Sequence, residues 1–397
     1  MSEIQYAGEF KLEECTLCTV GGLELDLTKL VATINIYEDI FSTSVSGTIS
    51  FQDTNNLLGN KDISIIGQEK LKLKLSTPNA NDTGDRNRVI NYTETPLYVY
   101  KIDDKVSVNE NTDAFMLHFT TPEFIRNNHV RVVKSYEGEP SEDIIQNILR
   151  DDDLIASKKE FYYEVTNNHF KLVSPNMHPF DFITNLSKRC LSKEYDYAPT
   201  FLFYETTKGY FFRTIDSMMD RKNPKGVFRE VSPQEIELRD SEEGIIAKLT
   251  NILDMQIMST TDTMSSRLSG MYGSRLILLD IFNKDYQEFD YNYLQDFDRD
   301  IHVDHYNRYG SSKSPVASTA TDQYGKQIGD YPDSVLHVQM IERNIANGMF
   351  NPAWGGSQYD YMGTDQWLQR RSSRFASLDS ALSLRITIPG NKTLQVG

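Results

Sequence analysis

Apolar and polar residues alternate with a period of two through much of the first third of the chain. Ser44, Ser46, Thr48 and Ser50 interleave with Val45, Ile49 and Phe51. Lys70, Lys72 and Lys74 alternate with Leu71, Leu73 and Leu75, and Phe115, Leu117 and Phe119 repeat the spacing. Side chains on a strand point alternately to its two faces, so the pattern predicts half-buried strands with one wet face. Polar connectors separate them, notably the stretch 79–85 with Asn79, Asn81, Asp82 and Gly84. Residues 1–121 are therefore expected to form a small antiparallel barrel or sandwich.

The period changes near Pro122. Ser141, followed by Glu142 and Asp143, predicts a helix start with a capping hydroxyl and acids in the first turn. Ile144, Ile145, Ile148 and Leu149 form one helical stripe, which stops at Asp151, Asp152 and Asp153. A second helix is expected from Pro179, with Phe182, Ile183, Leu186 and Cys190 on one face. Aromatic strands at 200–204 and 210–212 flank a hairpin turn through Thr206, Thr207, Lys208 and Gly209. Residues 122–226 thus read as an α/β insert.

Strands return from 227 onward. The runs 249–258 and 275–282 are nearly continuous in apolar residues, which predicts burial on both faces. A long loop is expected at 306–333 and a strand at 335–341, and the irregular character as a whole covers about 300–365. Thr364 is expected to cap a helix turning Trp367, Leu368, Phe375 and Leu378 inward, with Arg370, Arg371 and Arg374 nearby. The last strand places Leu382, Leu384, Ile386 and Ile388 on one face and Ser383, Arg385 and Thr387 on the other. Alternation resumes at Thr393, Leu394 and Val396, which points to further residues past Gly397.

Length and charge sharpen this picture. At 397 residues the chain exceeds one ordinary domain, and its 20 Phe, 22 Tyr and 2 Trp favour strands. Apolar runs such as Leu276 to Leu279 are too short to span a bilayer, and the opening residues lack signal-peptide features, so synthesis and folding in a cytoplasm are expected. The net charge of −16 disfavours tight binding of duplex DNA. Residues 1–50 hold eight acids and two bases, whereas 351–397 hold three acids and five bases. Complementary surfaces between subunits or partners would explain that asymmetry, and solvated faces serving solubility would explain it as well.

Reactive constellations are wanting. Cys15 and Cys18 form a lone C-x-x-C with Cys190 far away, where a structural zinc wants four ligands; two thiols beside a strand is the simpler reading. Asp296, Asp298 and Asp300 imitate a calcium loop, but its sixth and twelfth positions are Ile301 and Asn307 instead of Gly and Glu. His302 and His305 lack the glutamate of a zinc protease, and Gly270, Gly273 and Ser274 lack the lysine of a phosphate loop. No catalytic, cofactor-binding or metal-ligating residue is assigned, and the chain is not expected to be an enzyme.

Three stretches resemble the baseplate hub protein of contractile-tailed, T-even-like phages. The first holds Ile34, Asn35, Ile36, Tyr37, Glu38, Asp39, Ile40, Phe41 and Ser42 through Ile49, with Asp53 to Leu58 and Ile65 to Leu71. The second pairs His178, Pro179, Phe180, Asp181, Phe182 and Ile183 with Phe201 to Thr206, and is similar also to the hub part of type VI secretion spike proteins. The third runs from Arg370, Arg371 and Arg374 to Ile386, Thr387, Ile388, Pro389, Gly390 and Asn391. The resemblance implies an α+β, mainly β chain: two tube-like antiparallel β-barrels, at 1–121 and 227–397, around an inserted α/β domain at 122–226. It further implies a homotrimer whose six barrels join the sixfold tail tube protein to a threefold central spike protein, beside wedge or other hub proteins. DNA would pass through without specific binding, in a virion assembled in the host cytoplasm without integral membrane contact. Phe41, Arg370, Arg371 and Arg374 are the candidate subunit-interface residues. Three rivals compete with the phage hub: a secretion-system spike hub of nearly the same fold, a tail-tip cell-wall hydrolase, and a tail fibre, which should show fibrous repeats that this sequence lacks.

Overall fold

The alternating segments of the first 120 residues assemble into one curled sheet. The computed structural model describes residues 10–53, 65–76, 89–109, 112–167, 169–195, 198–220, 227–230, 251–259, 262–281, 284–296, 301, 321–341, 349–350, 367–380, 383–390 and 396. Within it the first eight strands are β1 (Lys11–Cys18), β2 (Glu24–Asp26), β3 (Val31–Tyr37), β4 (Ser46–Asp53), β5 (Lys70–Ser76), β6 (Val89–Asn91), β7 (Leu97–Asn109) and β8 (Thr112–Thr120). They run in the order β2-β1-β5-β7-β8-β4-β3, with β6 beside β5, and curl into an antiparallel half-barrel. Leu71 and Leu73 of β5 meet Leu117 and Phe119 of β8 in its core, with Leu17, Ile49, Phe51, Leu97 and Val99. The hydrated positions carry cross-strand ion pairs, Lys72 with Glu24 at 2.7 Å and Lys74 with Glu13 at 2.6 Å. The connector at 79–85 lies outside the described residues.

Periodicity near 3.6 takes over at α1 (Pro122–Asn127). There follow β9 (Ser135–Pro140), α2 (Ser141–Arg150), β10 (Glu160–Tyr163), β11 (His169–Val173), α3 (Pro179–Ser187), β12 (Phe201–Thr206), β13 (Gly209–Thr214) and α4 (Ile215–Met219). The apolar stripes of α2 and α3 share one core with Tyr136, Phe170, Phe201, Phe203, Tyr210 and Phe212. Two sequence expectations shift here. Pro140, not Ser141, is the N-cap of α2, and Ser141 Oγ accepts instead from the Cys190 thiol at 3.1 Å. The β12–β13 hairpin turns on Thr207 and Lys208 alone, because Gly209 already opens β13. Gly209 has φ +150°, and a Cβ there would lie 2.3 Å from the Glu160 carbonyl oxygen of β10, which pairs in parallel with β13.

The remaining elements are β14 (Asp254–Ser259), α5 (Thr263–Leu268), β15 (Gly273–Asp280), β16 (Asp285–Asn292), α6 (Tyr293–Asp296), β17 (Leu336–Ile341), β18 (Met349–Phe350), α7 (Trp367–Ser380) and β19 (Ser383–Thr387). β18 joins the α/β unit by pairing with β11. β14 and β19 form a two-stranded ribbon, and β16-β15-β17 a three-stranded sheet. The double-sided burial expected of 249–258 and 275–282 does not occur in the single chain. Of the described apolar side chains of β15, Leu276 and Leu278 are buried and Ile277 and Leu279 only partly so, and the apolar side chains of β14 stand in solvent. The apolar runs are strands where they are described, but no second layer among the described residues covers both faces. The loop predicted at 306–333 is described only from residue 321, where turns lead to a short 3-10 segment, Pro332–Ser334.

Candidate assembly interface

Helix α7 carries three of the four sequence-derived interface residues, and it sits between the α/β unit and the sheet of β15. On one side Gln369 Nε2 donates to the carbonyls of Ser274 at 2.9 Å and Phe289 at 3.1 Å, while Ala376 packs with Met271, Tyr272 and Tyr293. On the other, Phe375 and Leu378 pack against Leu202, Tyr204 and Ile215. The expected inward face of α7 was apolar; Gln369, Arg370, Ser373 and Arg374 are in fact its most buried side chains. The reason is polar satisfaction. Arg374 Nη2 donates to Asp216 Oδ1 at 3.0 Å and to the Ile301 carbonyl at 2.6 Å, and Asp216 also accepts from Thr200 Oγ1 at 2.8 Å. Thr364 and the side chain of Trp367 lie outside the described residues.

Arg371 is held differently. Its Nη1 donates to the carbonyls of Pro199 at 2.7 Å and Phe201 at 3.1 Å, and its guanidinium lies 4.7 Å from the centroid of the Phe375 ring. Burial pulls its pKa down to about 10, which leaves it charged at neutral pH. Phe41, from the loop between β3 and β4, reaches the same ring at 6.2 Å and keeps 61 % of its surface exposed. Phe41, Arg371 and Phe375 therefore form one aromatic–guanidinium corner. Arg370 and Arg374 face into the chain's own packing.

Two apolar faces on the C-terminal strands are left exposed among the described residues. Register places Met255 opposite Ile386 and Ile257 opposite Leu384, so all four share one face of the β14–β19 ribbon. Their exposures are 43, 44, 55 and 43 % respectively. On the three-stranded sheet, α7 covers the face of Leu276. The opposite face presents Leu336, Val338 and Met340 at 56, 53 and 64 % exposure, in register with Arg275, Ile277 and Leu279. A two-stranded ribbon is marginal in water unless something packs on it. The sequence reads the runs 249–258 and 275–282 as buried on both faces, and gives the strands at 335–341 and 382–388 no partner.

The thiols fit the simpler reading. Cys15 and Cys18 stand three apart on β1; Cys15 is in the sheet core, and Cys18 Sγ lies 3.6 Å from Glu24 Oε1 at the surface. Burial pushes the Cys15 and Cys190 thiols up to about 12, away from the thiolate that metal binding or nucleophilic attack requires. Among the described residues no cluster of His, Cys, Asp and Glu could hold a metal ion. Asp298, Asp300, His302 and His305 lie outside those residues. No described helix is long and apolar enough to cross a membrane.

No protein-family model matches the chain, and no curated protein matches it. Among solved structures, it is similar to a tail protein of Neisseria meningitidis at 11 % identity, covering 94 % of this chain and 80 % of that one, with a TM-score of 0.47. The 43 kDa tail protein of prophage MuSo2 from Shewanella oneidensis is 12 % identical over 70 % of this chain and 68 % of its own, with a TM-score of 0.40. An Escherichia coli type VI secretion component, described as structurally similar to the T4 bacteriophage tail proteins gp27 and gp5, is 9 % identical over 57 and 53 %, with a TM-score of 0.30.

Proposed function

We propose that this chain is a structural hub of a phage tail baseplate: a homotrimer whose subunits join a sixfold tail tube to a threefold central spike and surround the path of the DNA. One observation carries the reading. The N-terminal half-barrel packs a core of its own, whereas the C-terminal strands present two apolar faces that the described residues do not cover. Exposed apolar faces of that kind mark surfaces meant for other protein. In this reading the C-terminal strands complete a second tube-like barrel within the assembled ring, and the units at 1–121, 122–226 and 227–397 are barrel, insert and barrel. Phe41, whose ring tilts against that of Phe375 beside Arg371, joins the subunit contact, since aromatic and arginine side chains dominate interface energetics. The buried Arg370 and Arg374 support that contact from behind. The chain acts without catalysis, in the virion, with the spike and neighbouring baseplate proteins as partners.

Native mass measurement tests this on the purified chain, alone and mixed with its cognate spike. A mass three times that of the chain, or a complex with three copies per spike, is expected. A chain that stays a single copy at every concentration and never enters a threefold complex overturns the proposal. Purified peptidoglycan incubated with the same preparation should stay intact; its cleavage would favour the hydrolase instead.

A further inference from the structure

Three charged side chains share a dry seam where the first sheet meets the α/β unit. Glu205 of β12, 1 % exposed, accepts at Oε2 from the Val45 amide at 2.9 Å and the Thr121 hydroxyl at 2.8 Å. Its Oε1 accepts from Lys159 Nζ at 2.5 Å. Lys159 Nζ also donates to Glu123 Oε2 of α1 at 2.6 Å, and Glu123 Oε1 accepts from Ser157 Oγ at 2.9 Å. From outside, Glu38 Oε1 accepts the Thr207 amide at 2.6 Å, so the 38–45 loop grips the β12–β13 hairpin at both ends. The buried phenols of Tyr92 and Tyr210 face the same groups, and the nearby carboxylates add to the burial that holds both well above their usual range.

The charges do not balance. Two carboxylates meet one ammonium, and among the described residues no other cation contacts either acid. Burial pulls Lys159 down, but the attraction of Glu205 and Glu123 overcomes it, so the lysine stays protonated. Burial pushes the Glu205 carboxyl up, Glu123 adds to the push, and Lys159 with the Val45 amide only partly offsets them. Glu205 is therefore a carboxyl that burial holds above the ordinary glutamate value.

We propose that this seam is a proton-dependent clasp: Glu205 takes up a proton as the pH falls and the seam tightens, while at neutral pH one surplus buried negative charge makes it open more readily. The sign follows from linkage. A carboxyl that holds its proton more tightly in the closed seam than in water favours closure in acid. That contribution is full below the free glutamate value of about 4.3 and is lost as pH rises through the raised value. The clasp stands whether or not the chain is a tail hub, since it depends on this seam alone.

Hydrogen exchange at the Val45 amide reads the opening directly, once corrected for the intrinsic pH dependence of exchange. On the full chain, protection should rise as the pH falls from 8 toward the free glutamate value of about 4.3, by about tenfold for each unit by which the carboxyl is raised. The Val99 amide, bonded to the Glu69 carbonyl inside the first sheet, serves as the control and should stay flat. Glu205→Gln should abolish the slope at Val45. Thr121→Val, which removes one donor to the carboxylate and leaves the charge count unchanged, should move the slope to higher pH. A flat wild-type profile, or an equal slope in the Gln variant, overturns the clasp. Should the Gln variant fail to fold, a Thr121→Val profile identical to wild type overturns it as well.

Discussion

Asp216 and Arg374 are separated by 158 positions and meet at 3.0 Å in a site where both are almost wholly buried. An ion pair taken out of water is weak evidence of stability, because desolvation offsets the attraction. Removing one partner is another matter. Asp216→Ala leaves a buried guanidinium with the Ile301 carbonyl and takes the acceptor from Thr200, so a loss of roughly 3–5 kcal/mol is expected in urea unfolding. The double variant Asp216→Leu with Arg374→Met, apolar and similar in volume, should recover most of it. If the two losses simply add, the side chains do not act as a pair. This pair shows what sequence cannot supply. Arg370, Arg371 and Arg374 read as a basic surface stretch because nothing local reveals an acid, two carbonyls and an aromatic ring arriving from residues 199–216 and 301. Phe41 was legible as a contact residue, but not the ring of Phe375 beside it.

Elements were far more legible than contacts. The alternation of Lys70 to Leu75 and of Phe115 to Phe119 gave strands that lie close to their predicted bounds, since a period of two leaves only one way to bury the apolar face. The stripes of α2 and α3 were equally plain. At β14 and β15 a nearly continuous apolar run predicts burial on both faces, and the described residues supply it on neither face of β14 and on one face of β15. Such a run says that both faces leave water in the working protein, not which molecule covers them. This distinction yields a prediction at the level of the ribbon. Ile257→Glu with Leu384→Lys places opposite charges directly across β14 and β19 and preserves their pairing. Because both positions face solvent in the single chain, its stability should change by no more than about 0.5 kcal/mol. The proposed trimer should be lost. A variant that unfolds the single chain would show that the ribbon's apolar face is already packed there.

For the whole molecule, charge decides what it tolerates in close contact. A chain of net charge −16 repels a phosphate backbone within a Debye length of about 8–10 Å, which suits a wall around passing DNA better than a surface that grips it. The first sheet nevertheless places Lys70, Lys72 and Lys74 along one strand at hydrated positions, a row that could bind phosphates if left free. Lys72 and Lys74 are instead paired with Glu24 and Glu13, whose carboxyls lie below their usual range chiefly through hydrogen bonds from those lysines. The wild-type chain is therefore expected to show no retention on duplex DNA even at low salt. Glu13→Gln with Glu24→Gln frees two ammonium groups on β5 and should create weak binding that disappears as salt rises. Its logarithmic salt slope should be near −0.9 for each lysine that reaches a phosphate. Salt-titrated fluorescence anisotropy with a short duplex separates the outcomes. Binding by the wild-type chain would mean that the ion pairs do not mask the lysines, and would count against the proposed DNA path. A double variant that never binds would mean that this face lies out of reach of a duplex.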